Sequence, residues 1–143
     1  MSPLGRAVAA KSWLDAFAMV KRASSRSSST EQQVILKDGR MLGFAEYGEP
    51  GGEPVLEFHG VPGSRLEAYY YDDAGKKVGA RVIGIDRPGF GISTYRKDYR
   101  IADWPSDVLE FANALGLTRF AVAGVSSGSP YASQSGSSPG CCS

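Results

Sequence analysis

Residues 119–131 read Arg-Phe-Ala-Val-Ala-Gly-Val-Ser-Ser-Gly-Ser-Pro-Tyr. The first half, Phe120 to Val125, is short, apolar and rich in small and β-branched residues, the signature of a buried strand. It runs directly into Gly124-Val125-Ser126-Ser127-Gly128. A serine on a sharp strand-to-helix turn sits in a strained backbone with its hydroxyl exposed above the sheet. Glycines two residues to either side let neighbouring backbone pass where a Cβ would clash. The backbone N–H of Ser127, at the start of the following helix, then points to where an oxyanion would form. Alone, the pentapeptide reads better as a glycine-rich turn after a buried strand. The strand before it, and a second glycine loop at His59-Gly60-Val61-Pro62-Gly63, raise its weight.

Upstream, Val34-Ile35-Leu36 reads as a strand, Asp38-Gly39 as a hairpin turn and Arg40 to Tyr47 as the returning strand. Pro54 to Phe58 is a third strand, ending in the His59 loop. Ser64 is placed to cap a helix carrying Leu66, Tyr69, Tyr70 and Val78 and interrupted near Gly75. Arg81 to Ile85 is a fourth strand, ending in Asp86-Arg87-Pro88-Gly89-Phe90-Gly91. Trp104, Val108, Phe111 and Leu115 form one stripe of a helix over about Asp103 to Leu115, with Pro105 in its first turn and Gly116 at its stop. Two antiparallel strands followed by strand–helix–strand–helix–strand make an α/β pattern with a parallel segment. In such sheets, sites lie at the carboxyl ends of the parallel strands, and all three ends here carry glycine-rich loops.

The 143 residues suit one small domain, and the net charge of +1 implies no nucleic-acid partner. There is no apolar run of transmembrane length. Cys141 and Cys142, adjacent and near the end, offer neither a disulfide framework nor zinc spacing, so no metal is expected. Residues 1–30 stand apart: Arg6, Lys11, Lys21, Arg22 and Arg26 face only Asp15, Leu4 to Val20 can line a helical face, and Ser24 to Thr30 is nearly all serine. Two readings remain, a solvated extension on a cytoplasmic protein, which is preferred, and an organellar transit peptide. Residues 31–132 form the domain, and 133–143 read as a low-complexity tail.

Three motifs, Phe58 to Arg65, Asp86 to Ser93 and Gly124 to Gly128, each at a strand end and in this order, resemble the amino-terminal half of the α/β-hydrolase fold. The likeness runs from about Val34 to Tyr131. It implies sheet order 1-2-4-3-5, Ser126 as nucleophile, and an oxyanion hole formed by the backbone N–H groups of Val61 and Ser127. It also implies that His59 and Gly60 shape the oxyanion loop and that no cofactor is needed. Asp86 and Arg87 read as loop-bracing residues able to pair locally. Members with aspartate at the nucleophile position, such as epoxide hydrolases, are disfavoured by Ser126. The implied substrate is a small ester or amide. The family's order is serine, acid, histidine, yet no Asp, Glu or His follows Ser126. The chain is therefore expected to be the front half of a serine hydrolase, inactive as it stands. The alternative is a non-catalytic remnant that binds a small molecule or partner.

Overall fold

The computed structural model describes residues 20–22 and 30–136. Six strands form one sheet: β1 (Val20–Arg22), β2 (Gln32–Ile35), β3 (Met41–Gly48), β4 (Glu53–Phe58), β5 (Ala80–Ile85) and β6 (Ala121–Gly124), in the order β1-β2-β3-β5-β4-β6. Strands β1, β2, β3 and β5 pair antiparallel in turn, while β4 is parallel to both β5 and β6. The order expected of the five anticipated strands is thus observed, and β1 is an addition to it. Its three residues lie in the basic extension, so the helical face read through Val20 does not reach that residue. The rest of residues 1–29 lies outside the described residues.

The β2–β3 hairpin closes at Gly39, whose φ of 87° suits a residue without a side chain. Register then decides where the site forms. Phe58 is level with Ile85 on one side and Gly124 on the other. The loops that begin at His59, Asp86 and Val125 therefore emerge side by side, with the His59 loop in the middle.

Strand alternation sorts side chains onto two faces. On one, Phe44, Phe58, Ile83 and Ile85 pack against helix α2 (Trp104–Ala114), where Trp104, Val108 and Phe111 are fully buried. Phe44 meets Phe111 edge-on at 5.2 Å, and Phe58 meets Trp104 at 5.1 Å. The sequence stripe on this helix is the buried stripe, with Leu115 at its margin as the C-cap.

The other face differs from expectation. The segment after Ser64 is a 3-10 helix over Arg65–Tyr71 that becomes helix α1 (Asp72–Val78) at Asp72. Ser64 caps it by accepting the N–H of Leu66 at 3.2 Å. Gly75 does not interrupt the helix. It is buried in mid-α1, where an added Cβ would come within 2.9 Å of the Gly48 Cα, so it allows close approach rather than a break. Leu66, Tyr69, Tyr70 and Val78 are exposed, Tyr69 meeting the Tyr47 ring of β3 edge-on at 5.9 Å, and the small buried residues against the sheet are Ala68 and Gly75. Small residues fit because Gly84 of β5 brings this layer against the backbone of Arg65.

The boundary placed at residue 132 also moves. Helix α3 spans Ser129–Ser135, so Ser133, Gln134 and Ser135 continue the turn that leaves the Ser126 loop. Residues 137–143 lie outside the described residues.

Candidate active site

Strand β6 ends at Gly124, and the chain turns through a short 3-10 helix, Ser126–Gly128, into α3. Ser126 has φ of +50°, in the left-handed region that a non-glycine residue enters only when its surroundings enforce it. Those surroundings are visible. A Cβ on Gly128 would collide with the Phe58 carbonyl, and one on Gly124 would collide with the Gly128 backbone. The two glycines let β6, the turn and the end of β4 nest together, and this pushes Ser126 out to an exposed position.

The neighbouring loop comes within contact distance: a Cβ placed on Gly60 would be 3.5 Å from the Ser126 Cβ. Gly60 is fixed at both of its polar atoms. Its N–H donates to the Glu67 carboxylate at 2.9 Å. Its carbonyl accepts from His59 Nδ1 at 2.7 Å and from the Arg87 guanidinium at 3.2 Å. The carbonyl of Gly60 and the N–H of Val61 belong to one planar peptide and point in opposite directions. Anchoring the carbonyl therefore also fixes the Val61 N–H. Among the described residues, neither the Val61 N–H nor the Ser127 N–H is bonded to an acceptor. Both members of the expected donor pair are thus free, on loops that flank Ser126.

His59 is completely buried. Its Nε2 accepts the backbone N–H of Arg87 at 3.1 Å, so the proton must sit on Nδ1, which donates it to Gly60. Burial pushes the imidazole pKa below its usual value and keeps the ring neutral. With both nitrogens engaged, the ring ties the loop after β4 to the loop after β5 and has no lone pair to offer Ser126.

Asp86 and Arg87 brace the loops but do not pair with each other as expected. Asp86, fully buried, accepts from the backbone N–H of Arg65 at 2.6 Å, from its guanidinium at 2.9 Å and from the Ile92 N–H at 2.9 Å. Arg87 lies between the rings of Phe90 and Tyr131, at 4.8 and 4.6 Å from their centroids, and also reaches the Ser127 hydroxyl at 3.3 Å. The separation has a simple cause: Arg65, from the opposite layer, satisfies the aspartate first and leaves Arg87 to the glycine loop.

Three residues at or beside the site were not anticipated. Glu67 holds the Gly60 N–H, and Arg65 holds Asp86. Glu57 is 1% exposed, with neither carboxylate oxygen hydrogen-bonded among the described residues. Burial, and then the nearby Glu67, push its pKa up to about 7. Glu57 did carry a sequence signal, because alternation from Val55 places it on the buried α1 face of a central strand. Among the described residues, no group of three or more His, Cys, Asp or Glu is placed to hold a metal ion. No helix among them is long and apolar enough to cross a membrane.

Residues 53–135 match the family model of the alpha/beta hydrolase fold. Bifunctional epoxide hydrolase 2 of Sus scrofa is 31% identical over 96 residues, which cover 65% of this chain and 17% of that protein. Among solved structures, the esterase EaEST from Exiguobacterium antarcticum is similar with a TM-score of 0.65 and 26% identity, over 76% of this chain and 41% of that one. An epoxide hydrolase from an endophytic Streptomyces is similar with a TM-score of 0.61 and 28% identity, over 74% of this chain and 32% of that one. The chain thus spans less than half the length of each of these proteins.

Proposed function

The chain belongs to the alpha/beta hydrolase fold family, and we propose that Ser126 is the nucleophile of a serine hydrolase acting on a small ester or amide. The observation that carries this reading is the strained, exposed Ser126 flanked by two unoccupied backbone donors. In the reaction, Ser126 Oγ bonds to the carbonyl carbon and the carbonyl electron pair moves onto oxygen. The N–H groups of Val61 and Ser127 receive that oxyanion. A removed donor of this kind typically costs about a hundredfold or more in rate. The carbon–oxygen or carbon–nitrogen bond to the leaving group then breaks, giving an acyl-serine that water hydrolyses.

The hydroxyl proton needs a base, and the leaving group needs a proton. His59, the only histidine in the sequence, has both nitrogens engaged, and no Asp, Glu or His follows Ser126. Turnover is therefore assigned to a longer protein that supplies an acid and a histidine. The chain itself is assigned one slow acylation by an activated ester, in which solvent takes the hydroxyl proton and the leaving group departs as an anion, without turnover. Epoxide hydrolases are among the relatives, but the members that attack through a carboxylate need aspartate where Ser126 stands, which favours the ester or amide reading.

The test is acylation of the full chain with excess p-nitrophenyl acetate, the adduct being located by peptide mass spectrometry. An acetyl group concentrated on Ser126 is expected. Acetyl groups spread evenly over the exposed serines would overturn the assignment.

A further inference from the structure

Arg87 is 4% exposed, and among the described residues it makes no ion pair and its Nε has no hydrogen-bond partner. Its charge reaches Glu57, but no ion pair joins the two. A buried cation held this way stabilises a fold poorly, because no paired counter-charge offsets its desolvation. It is held by a slot of two rings, Phe90 and Tyr131, whose faces suit a flat guanidinium. A buried group with an unused donor calls for an explanation other than stability. Its position supplies one. Arg87 follows β5, and the sheet order here is β5-β4-β6. The side chain therefore crosses the loop after β4 to reach the turn after β6. A single nitrogen, Nη2, donates to the Gly60 carbonyl at 3.2 Å and to Ser127 Oγ at 3.3 Å. The first acceptor is the far side of the peptide that carries the Val61 N–H. The second belongs to the residue that carries the other N–H.

From that bridge we propose that Arg87 is a positioning residue of the oxyanion hole, fixing the spacing between the Val61 and Ser127 N–H groups. The proposal rests on the reading of Ser126 as nucleophile. Strand pairing does not set this spacing. Between the ends of β4 and β6 the last backbone hydrogen bond runs from Val125 to the Phe58 carbonyl at 3.1 Å, and beyond it none joins the two loops among the described residues. His59 also holds the Gly60 carbonyl, but its other nitrogen ties it to the loop after β5 and not to Ser127. Two donors that must meet one oxygen tolerate little drift, since a misplacement of about 1 Å can cost about a hundredfold in rate. A long side chain clamped between two rings is suited to hold them, because its own conformation is locked by packing.

The experiment compares acylation of the full chain by p-nitrophenyl acetate and by its thiono analogue, in which sulfur replaces the carbonyl oxygen. Release of p-nitrophenolate gives the rates, and peptide mass spectrometry locates the adduct. Sulfur is larger and a weaker hydrogen-bond acceptor, so a well-spaced donor pair favours the oxygen ester. The ratio of the two rates cancels the folded fraction, so a mere loss of stability does not move it. Wild type should prefer the oxygen ester beyond the preference shown by hydrolysis in buffer. Arg87→Met keeps an unbranched chain between the rings, and the acceptors it releases have His59 and water to turn to. It should stay folded by thermal unfolding and lose roughly tenfold or more of the preference. Ser127→Ala should lose a smaller part, and nothing further in the Arg87→Met background, because both act through one bridge. An undiminished preference in folded Arg87→Met or in Ser127→Ala, or additive losses in the double variant, would overturn the proposal and leave Ser126 as nucleophile. Acylation of wild-type Ser126 with no oxygen preference would also overturn it. No acylation of Ser126 at all would overturn the nucleophile reading and the proposal with it.

Discussion

His59 accepts the backbone N–H of Arg87 at 3.1 Å through the nitrogen that a catalytic base would need to leave free. The same ring donates to Gly60 through its other nitrogen, so one side chain joins two of the three loops around Ser126. Replacing it tests bracing against catalysis. His59→Gln should lower stability by about 1–3 kcal/mol, the range for orphaning buried hydrogen-bonding groups, while Ser126 still accepts a fluorophosphonate. Thermal unfolding and intact-mass labelling measure the two effects. A folded variant that has lost all labelling would make His59 a participant in the chemistry.

The approach of Gly128 to the Phe58 carbonyl leaves no room for a methyl group. Gly128→Ala must therefore separate the elbow from the end of β4. It should cost about 2 kcal/mol or more, in the range of overpacking, and reduce acylation of Ser126 in the fraction that stays folded. An unchanged melting temperature with wild-type acylation would show that the nesting is not what holds the turn.

Asp86 is tied to Arg65 in a buried ion pair that links the loop after β5 to the layer on the α1 side. Removing one partner strands the other charge, so Asp86→Ala should cost roughly 3–5 kcal/mol. Urea denaturation of wild type and variant reads this directly. A loss below about 1 kcal/mol would mean that Arg65 finds water or another acceptor.

Glu57 makes stability depend on pH with a definite sign. Its pKa is about 7 in the folded protein, against an ordinary value of 4.5. Between these values the folded state holds a proton that the unfolded state has released. Stability should thus be highest below about pH 4.5 as far as this group is concerned, and fall as pH rises through 7. The total amounts to roughly 3 kcal/mol, at 1.36 kcal/mol per pKa unit. Glu57→Gln should flatten that slope and be the more stable form at pH 8. A wild-type slope that persists in the variant would place the titration elsewhere.

What could be read in the sequence was what repeats or punctuates. Alternation and apolar runs marked β2 to β6. Glycines at the strand ends marked the three loops, and the Trp104–Val108–Phe111 spacing marked α2. Contacts closed by tertiary structure left no such trace. Arg65 and Asp86 meet only because β4 and β5 lie side by side, so nothing local pairs them. The Arg65–Val78 segment reads as a helix from Leu66, Tyr69, Tyr70 and Val78, but that its sheet-facing residues would be Ala68 and Gly75 depends on the close approach at Gly84, which no local pattern shows. Val20–Arg22 has no strand pattern of its own and pairs through the open edge of β2. Ser133 to Ser135 lacks helical periodicity, and its helix is started by the turn at Ser126 and by Pro130 in its first turn.

The central claim is that the fold turns Ser126 into a reactive hydroxyl before any base is supplied. The most direct measurement is site-resolved fluorophosphonate labelling of the full chain, folded and in urea, alongside Ser126→Ala and Ser127→Ala. Labelling confined to Ser126 is expected, faster in the folded state by roughly a thousandfold if the two donors act as an oxyanion hole. It should be absent in Ser126→Ala and retained in Ser127→Ala, which keeps its backbone N–H. Equal labelling rates in the folded and denatured chains, or undiminished labelling of Ser126→Ala, would contradict it.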